Sequence, residues 1–188
     1  MRLRTIIPFV AATVQACLSQ ARTTREPLNP QWGAVFPPAS AGHLLGQCSR
    51  GTPTPMQGTW NPSPDQIHLL EDSLSVLLDR QLAALGLPDS LRPHAGDYYR
   101  QYAGVLVGGR RLIYVNGFHK TQVAATRTFL TEHHNDSAAL RNFPPAFRDS
   151  DYWRGVATVV CDGGEYYFGV EYDPETHRFG NFSFNGIG

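Results

Sequence analysis

The chain has almost no lysine: of its 16 basic residues 15 are arginine, and Lys120 stands alone. It has no net charge either, with 16 acidic residues against 16 basic, and charged residues make up 17% of the total, below the ~25% of an average globular protein. A balanced chain without a basic cluster offers no electrostatic footprint for nucleic acid or an anionic membrane surface. Nucleic acid is therefore not an expected partner, and the arginine bias reads as codon composition rather than phosphate binding. Three cysteines are too few for a disulfide scaffold. No apolar run reaches the ~20 residues of a membrane-spanning helix. HExxH and CxxC spacings are absent, as is an Asp-x-Asp-x-Asp-Gly loop, so no resident metal or other cofactor is expected. No internal repeat is visible, and 188 residues allow one domain with tails.

The N-terminus carries an address. Arg2 and Arg4 precede an apolar stretch from Ile6 to Val14, and Ser19-Gln20-Ala21 offers small residues before a cleavage at Arg22. A basic start, a short apolar run and small residues form the signal-peptide pattern. Residues 1–21 are then removed, and the product is periplasmic or secreted. A second reading takes Val14-Gln15-Ala16-Cys17 as a lipobox, although Val14 and Gln15 depart from the usual residues. Cys17 is then lipidated, residues 1–16 are removed, and the protein is anchored at the outer membrane. Either route leaves 14 basic and 16 acidic residues, and Cys48 and Cys161 as the unmodified cysteines. In an oxidising compartment a Cys48–Cys161 disulfide becomes possible. The alternative keeps Cys161 as a small buried apolar residue and Cys48 as a free thiol.

Residues 22–59 contain Pro27, Pro30, Pro37, Pro38, Pro53 and Pro55 without a sustained period, which reads as a proline-rich tether or arm. Trp32, Val35, Phe36, Leu44 and Leu45 are too apolar for a pure spacer, so part of the arm is expected to dock. The domain proper is expected over residues 60–188. Ser63-Pro64-Asp65-Gln66 supplies a capping box with proline at the first helical position. Ile67, Leu70, Leu74, Leu77, Leu78 and Leu85 recur at helical spacing, and Gly86-Leu87-Pro88 stops the helix, predicting one helix over residues 64–85. Strands are predicted over 98–107 and 110–118 around the Gly108-Gly109 turn, then over 155–161, 166–172 and 178–184. Thr121–His133 could form a helix within an ambiguous insertion. The order predicts an α+β fold: one long N-terminal helix packed on an antiparallel four- to five-stranded meander, of cystatin-like type.

Arg111 to Phe118 reads Arg-Leu-Ile-Tyr-Val-Asn-Gly-Phe. Val160-Cys161-Asp162-Gly163-Gly164, Phe168-Gly169-Val170-Glu171-Tyr172-Asp173 and Phe184-Asn185-Gly186 follow. Over residues 60–188 this resembles a family of small exported bacterial proteins, many of them candidate lipoproteins. The resemblance implies export and assigns no catalytic residue.

Candidate sites follow from residue type. Asp162 and Glu165 flank Gly163-Gly164, where the backbone can turn sharply. Glu171 and Asp173 share a strand parity and hence a face. Oxygen ligands grouped this way could hold Ca²⁺, or they are solvated acids of a hairpin. Cys161 with a histidine could form a nucleophile pair, but Asp162 beside it disfavours the thiolate. Parity places Tyr166, Phe168, Val170 and Tyr172 towards the core. Tyr99, Tyr114 and Tyr167 on the other face would offer an aromatic docking surface. The candidate binding residues are thus Tyr99, Tyr114, Asp162, Gly163, Gly164, Tyr167 and Glu171. Together these point to an exported non-enzymatic binding module, inhibitor- or immunity-like, for an unidentified protein or envelope ligand. The alternatives are an envelope hydrolase using Asp162 or Glu171 as general acid or base, and a structural lipoprotein of an envelope complex.

Overall fold

The computed structural model describes residues 32–143 and 145–186. The expected signal segment, Cys17 and the first part of the expected tether lie outside the described residues. The elements in chain order are β1 (Gly33–Val35), α1 (Pro38–Ala41), β2 (Met56–Trp60), α2 (Pro64–Ala83), β3 (Tyr98–Val107), β4 (Arg110–His119), α3 (Lys120–Glu132), β5 (Tyr167–Asp173) and β6 (Arg178–Phe184). The fold is α+β around one mixed sheet of order β1-β3-β4-β5-β6, with β2 sharing the outer edge of β3 with β1. β1 runs parallel to β3 and every other pair is antiparallel.

Local chemistry explains the long helix. Ser63 Oγ accepts from the Gln66 N–H at 3.3 Å, and the Gln66 side chain accepts from the Ser63 N–H at 2.8 Å, so two otherwise unpaired donors are satisfied. Ile67, Leu70, Leu74, Leu78 and Leu82 form its buried stripe. They pack on Tyr98, Tyr102, Ile113, Val115, Phe168, Val170 and Tyr172 from the sheet. The Gly108-Gly109 turn has φ of 56° and 76°, a left-handed pair that glycine adopts freely. It sets the β3–β4 register, from Val107 opposite Arg110 to Tyr98 opposite His119.

The expected strand over 155–161 is not part of the sheet. β4 pairs directly with β5, from Ile113 opposite Tyr172 to Phe118 opposite Tyr167, so no place remains between them. The segment lies outside the sheet's strands and packs on its second face. From Gly33 onward the expected tether is docked too: β1 and β2 extend the sheet along β3. Phe36, Ala41 and Leu44 pack on Ala103, Val105, Leu112 and Tyr114 of the second face. Residues 36–50 form a strap over one part of that face. Tyr152 and Trp153 cover the other part with Phe118, Val123 and Tyr167. Both faces of the sheet are therefore covered.

Leu74 has no exposed surface, whereas Leu69 on the same helix is 39% exposed. Leu74→Ala is expected to lower the unfolding free energy by about 2–5 kcal/mol, and Leu69→Ala by no more than about 0.5 kcal/mol. Urea denaturation followed by circular dichroism measures both.

Candidate functional site

Cys48 and Cys161 are bonded across a separation of 113 residues. The bridge ties the strap to the segment that follows Trp153. Closing a loop of that length stabilises by roughly 4–5 kcal/mol in the chain-entropy model.

Beside the bridge lies a buried guanidinium. Arg50 is 9% exposed. Its Nε donates to the Tyr114 hydroxyl at 3.1 Å, and its two terminal nitrogens donate to the side-chain oxygens of Asn185 and Asn116. Among the described residues no carboxylate pairs with it. Since arginine does not lose its proton in proteins, three neutral oxygens meet the buried charge. Burial pushes the Tyr114 hydroxyl above its ordinary pKa, and the neighbouring Arg50 charge opposes that rise. Gly169 makes the arrangement possible. A Cβ there would come within 2.7 Å of both Arg50 Nε and the Tyr114 hydroxyl.

The network continues outward. Asn116 donates to Gln101 Oε1 at 2.9 Å and to the Thr158 carbonyl at 2.9 Å. Gln101 donates to the carbonyls of Trp153 and Val156 and accepts from the Thr158 N–H at 3.0 Å. Gln47 donates to Thr158 O at 3.1 Å, and Asn185 donates to Val160 O at 2.7 Å and to Asp162 O at 3.0 Å. Side-chain amides thus take the carbonyls of residues 156, 158, 160 and 162 in turn. In extended backbone, successive residues direct their N–H and C=O groups to opposite edges. Among the described residues the N–H and C=O groups of Ala157, Val159 and Cys161 have no hydrogen-bond partner.

A second feature lies at the β5–β6 end. Arg110, Glu171, Asp173, Thr176, Arg178 and Asn181 line a cleft of about 300 Å³. Asp173 accepts from Arg110 at 2.6 Å and from the N–H groups of Glu175 and Thr176 at 2.9 and 3.1 Å. The Arg110 hydrogen bond is the main reason its carboxyl is held down to about 2. On the α2 side, burial raises the Glu71 carboxyl above its usual range, against the opposing pull of Arg100 and of the Tyr102 hydroxyl bond.

The expected site residues separate. Glu171 lines the cleft with Asp173, as strand parity suggests. Gly163 and Gly164 form a turn with φ of 103° and 53°. Its Gly164 N–H donates to Gly186 O at 3.1 Å, so this turn is fastened to the Asn185-Gly186 segment. The aromatic docking surface is not open. Tyr114 is 1% exposed and Tyr167 7%, and Tyr99 stacks on Trp153 at 4.3 Å. The strap and the Tyr152-Trp153 turn cover those rings, a long-range arrangement that strand parity does not contain. Arg50, Gln101, Asn116 and Asn185 were not among the candidates read from sequence. The signal available was Arg50 two residues from Cys48, and asparagine-glycine within two of the quoted motifs. No family model matches the chain, and neither does any curated protein or solved structure.

Arg50→Ala leaves buried oxygens of Tyr114, Asn116 and Asn185 without their donor and is expected to cost about 3 kcal/mol or more, read by urea denaturation. Asp173 gives a pH signature. Its folded pKa is depressed, so its stabilisation is complete above the unfolded value of about 4 and is lost as pH falls through about 2. The stability gap between wild type and Asp173→Asn should accordingly close between pH 5 and pH 2.

Proposed function

We propose that the protein is an exported, non-enzymatic binding module for an envelope or secreted protein, acting in the manner of an inhibitor or immunity protein. The Cys48–Cys161 bridge carries this reading. Such a bond persists in oxidising compartments, which favours a periplasmic or secreted location, with or without a lipid on Cys17. It also joins two irregular segments into one fixed surface over the sheet, and surfaces ordered in advance lose less entropy on binding.

The Arg50 network supports the same reading, since polar side chains that could serve chemistry are used to hold that surface. It also draws together Asn116, Val160 and Asn185, residues of three separate motifs in the resemblance to small exported proteins. The packing of α2 on a sheet whose strands β2 to β6 pair antiparallel is what supports a cystatin-like type, a frame that suits binding as well as other tasks.

The hydrolase alternative draws support from one observation, that Glu171 and Asp173 share a cleft. Asp173 is poorly suited to be its general acid, because a carboxyl held near 2 is ionised at neutral pH. Glu171 would have to carry that role.

Immobilised oxidised protein should retain one stoichiometric protein from envelope extract. The Cys48→Ser/Cys161→Ser variant should lose it at a temperature where its circular dichroism remains native. Absence of any stoichiometric partner for the oxidised protein overturns the binding reading. Turnover of peptidoglycan fragments that Glu171→Gln abolishes would replace it with the hydrolase.

A further inference from the structure

The edges of the sheet are each blunted in a recognisable way. β6 carries a register shift opposite Gly169 to Glu171 and a left-handed Asn181 at φ 51°. β2 has a bulge between Met56 and Gly58, and β1 is three residues long. Bulges and short edge strands prevent uncontrolled pairing with other chains. One segment beside the sheet lacks any such device. Residues 157–161 read Ala-Thr-Val-Val-Cys, with no charge and no proline. Their inward edge is taken by the amides of Gln47, Gln101, Asn116 and Asn185, and the disulfide fixes Cys161.

We propose that residues 157–161 are a docking strand for an extended, uncharged peptide segment of a partner protein, which adds alongside through main-chain hydrogen bonds. This rests on the binding-module reading and names its site and the chemistry of its partner. The N–H and C=O groups of Ala157, Val159 and Cys161, without a partner among the described residues, repeat every second residue, the spacing of another extended backbone. The strand is held rigid by the network behind it, so little ordering remains to be done on binding.

Next to it, Gln122, Val123 and Thr126 of α3, Phe147, and Val159 and Val160 border a cleft of about 190 Å³ whose lining carries no charged side chain. A charged residue desolvated there would find no partner, so the groove selects an uncharged side chain. Ala157 packs towards the strap and Val156 and Val160 towards the Trp153 cluster. With covered ground on both sides, the edge admits a single extended chain more readily than the sheet of a second copy.

The test pans a phage-displayed library of random dodecapeptides against the oxidised protein. Selected peptides should be rich in uncharged β-branched residues. They should protect the amide hydrogens of Ala157, Val159 and Cys161 from exchange. Val159→Pro removes one outward N–H and no hydrogen bond within the described residues, and should weaken binding about tenfold. N-methylation of alternate peptide amides, which leaves the protein untouched, should do the same.

No selected binder, or binding indifferent to both changes, overturns the proposal. Protection of the same amides without peptide, rising with protein concentration as a dimer forms, overturns it in favour of a second copy. An envelope protein captured equally by wild type and Val159→Pro overturns the docking strand and leaves the binding-module reading standing.

Discussion

A guanidinium that cannot shed its charge must be surrounded by oxygen wherever it is buried. Arg50 meets that requirement with three oxygens from two places far from it in the chain: Tyr114 and Asn116 on β4, and Asn185 beyond β6. Each donor must reach its acceptor, so the position of the strap relative to the sheet is specified more tightly than apolar contact would specify it. The same asparagines then turn their amide nitrogens on the residues around Thr158 and Val160. One charge thereby orders two otherwise irregular segments, and the disulfide between Cys48 and Cys161 holds them at the distance the hydrogen bonds require.

The two faces of the sheet are built by different physics. On one, a leucine stripe from α2 covers aromatic and β-branched side chains, and burial of apolar area supplies the attraction. On the other, apolar clusters under the strap and around Trp153 flank a polar seam. Apolar burial is tolerant of small rearrangement, whereas a buried network with one member missing is costly. The helical face thus gives the domain its cohesion, and the second face gives it a particular surface.

This division decides what could be read in advance. α2 was legible because the capping box, the leucine spacing and the glycine–proline stop all act within a few residues. β3, β4 and β6 were legible for the same reason, through alternation and the Gly108-Gly109 turn. Residues 155–161 show the limit. Valine and threonine mark extended backbone, and the carbonyls of every second residue, Val156, Thr158, Val160 and Asp162, do find partners. Composition does not say whether the hydrogen-bond partner is a neighbouring strand or a row of amide side chains. Parity assigned Tyr114 and Tyr167 to the second face, yet their exposure depended on a strap read as a tether. Arg50 was invisible because its acceptors lie 64 to 135 positions away.

Those separations also order events in time. A chain that emerges from its N-terminus presents Cys48 and Arg50 long before Cys161 and Asn185 exist outside the machinery that makes it. α2 and the β3–β4 hairpin can associate from nearby sequence, since contacts of short separation form soonest. The strap has no such option, because its bonding cysteine and one of its three oxygen acceptors arrive 113 and 135 residues after their partners. The surface over the second face is therefore assembled late. Until then the Cys48 thiol remains open to exchange with any disulfide that comes within reach.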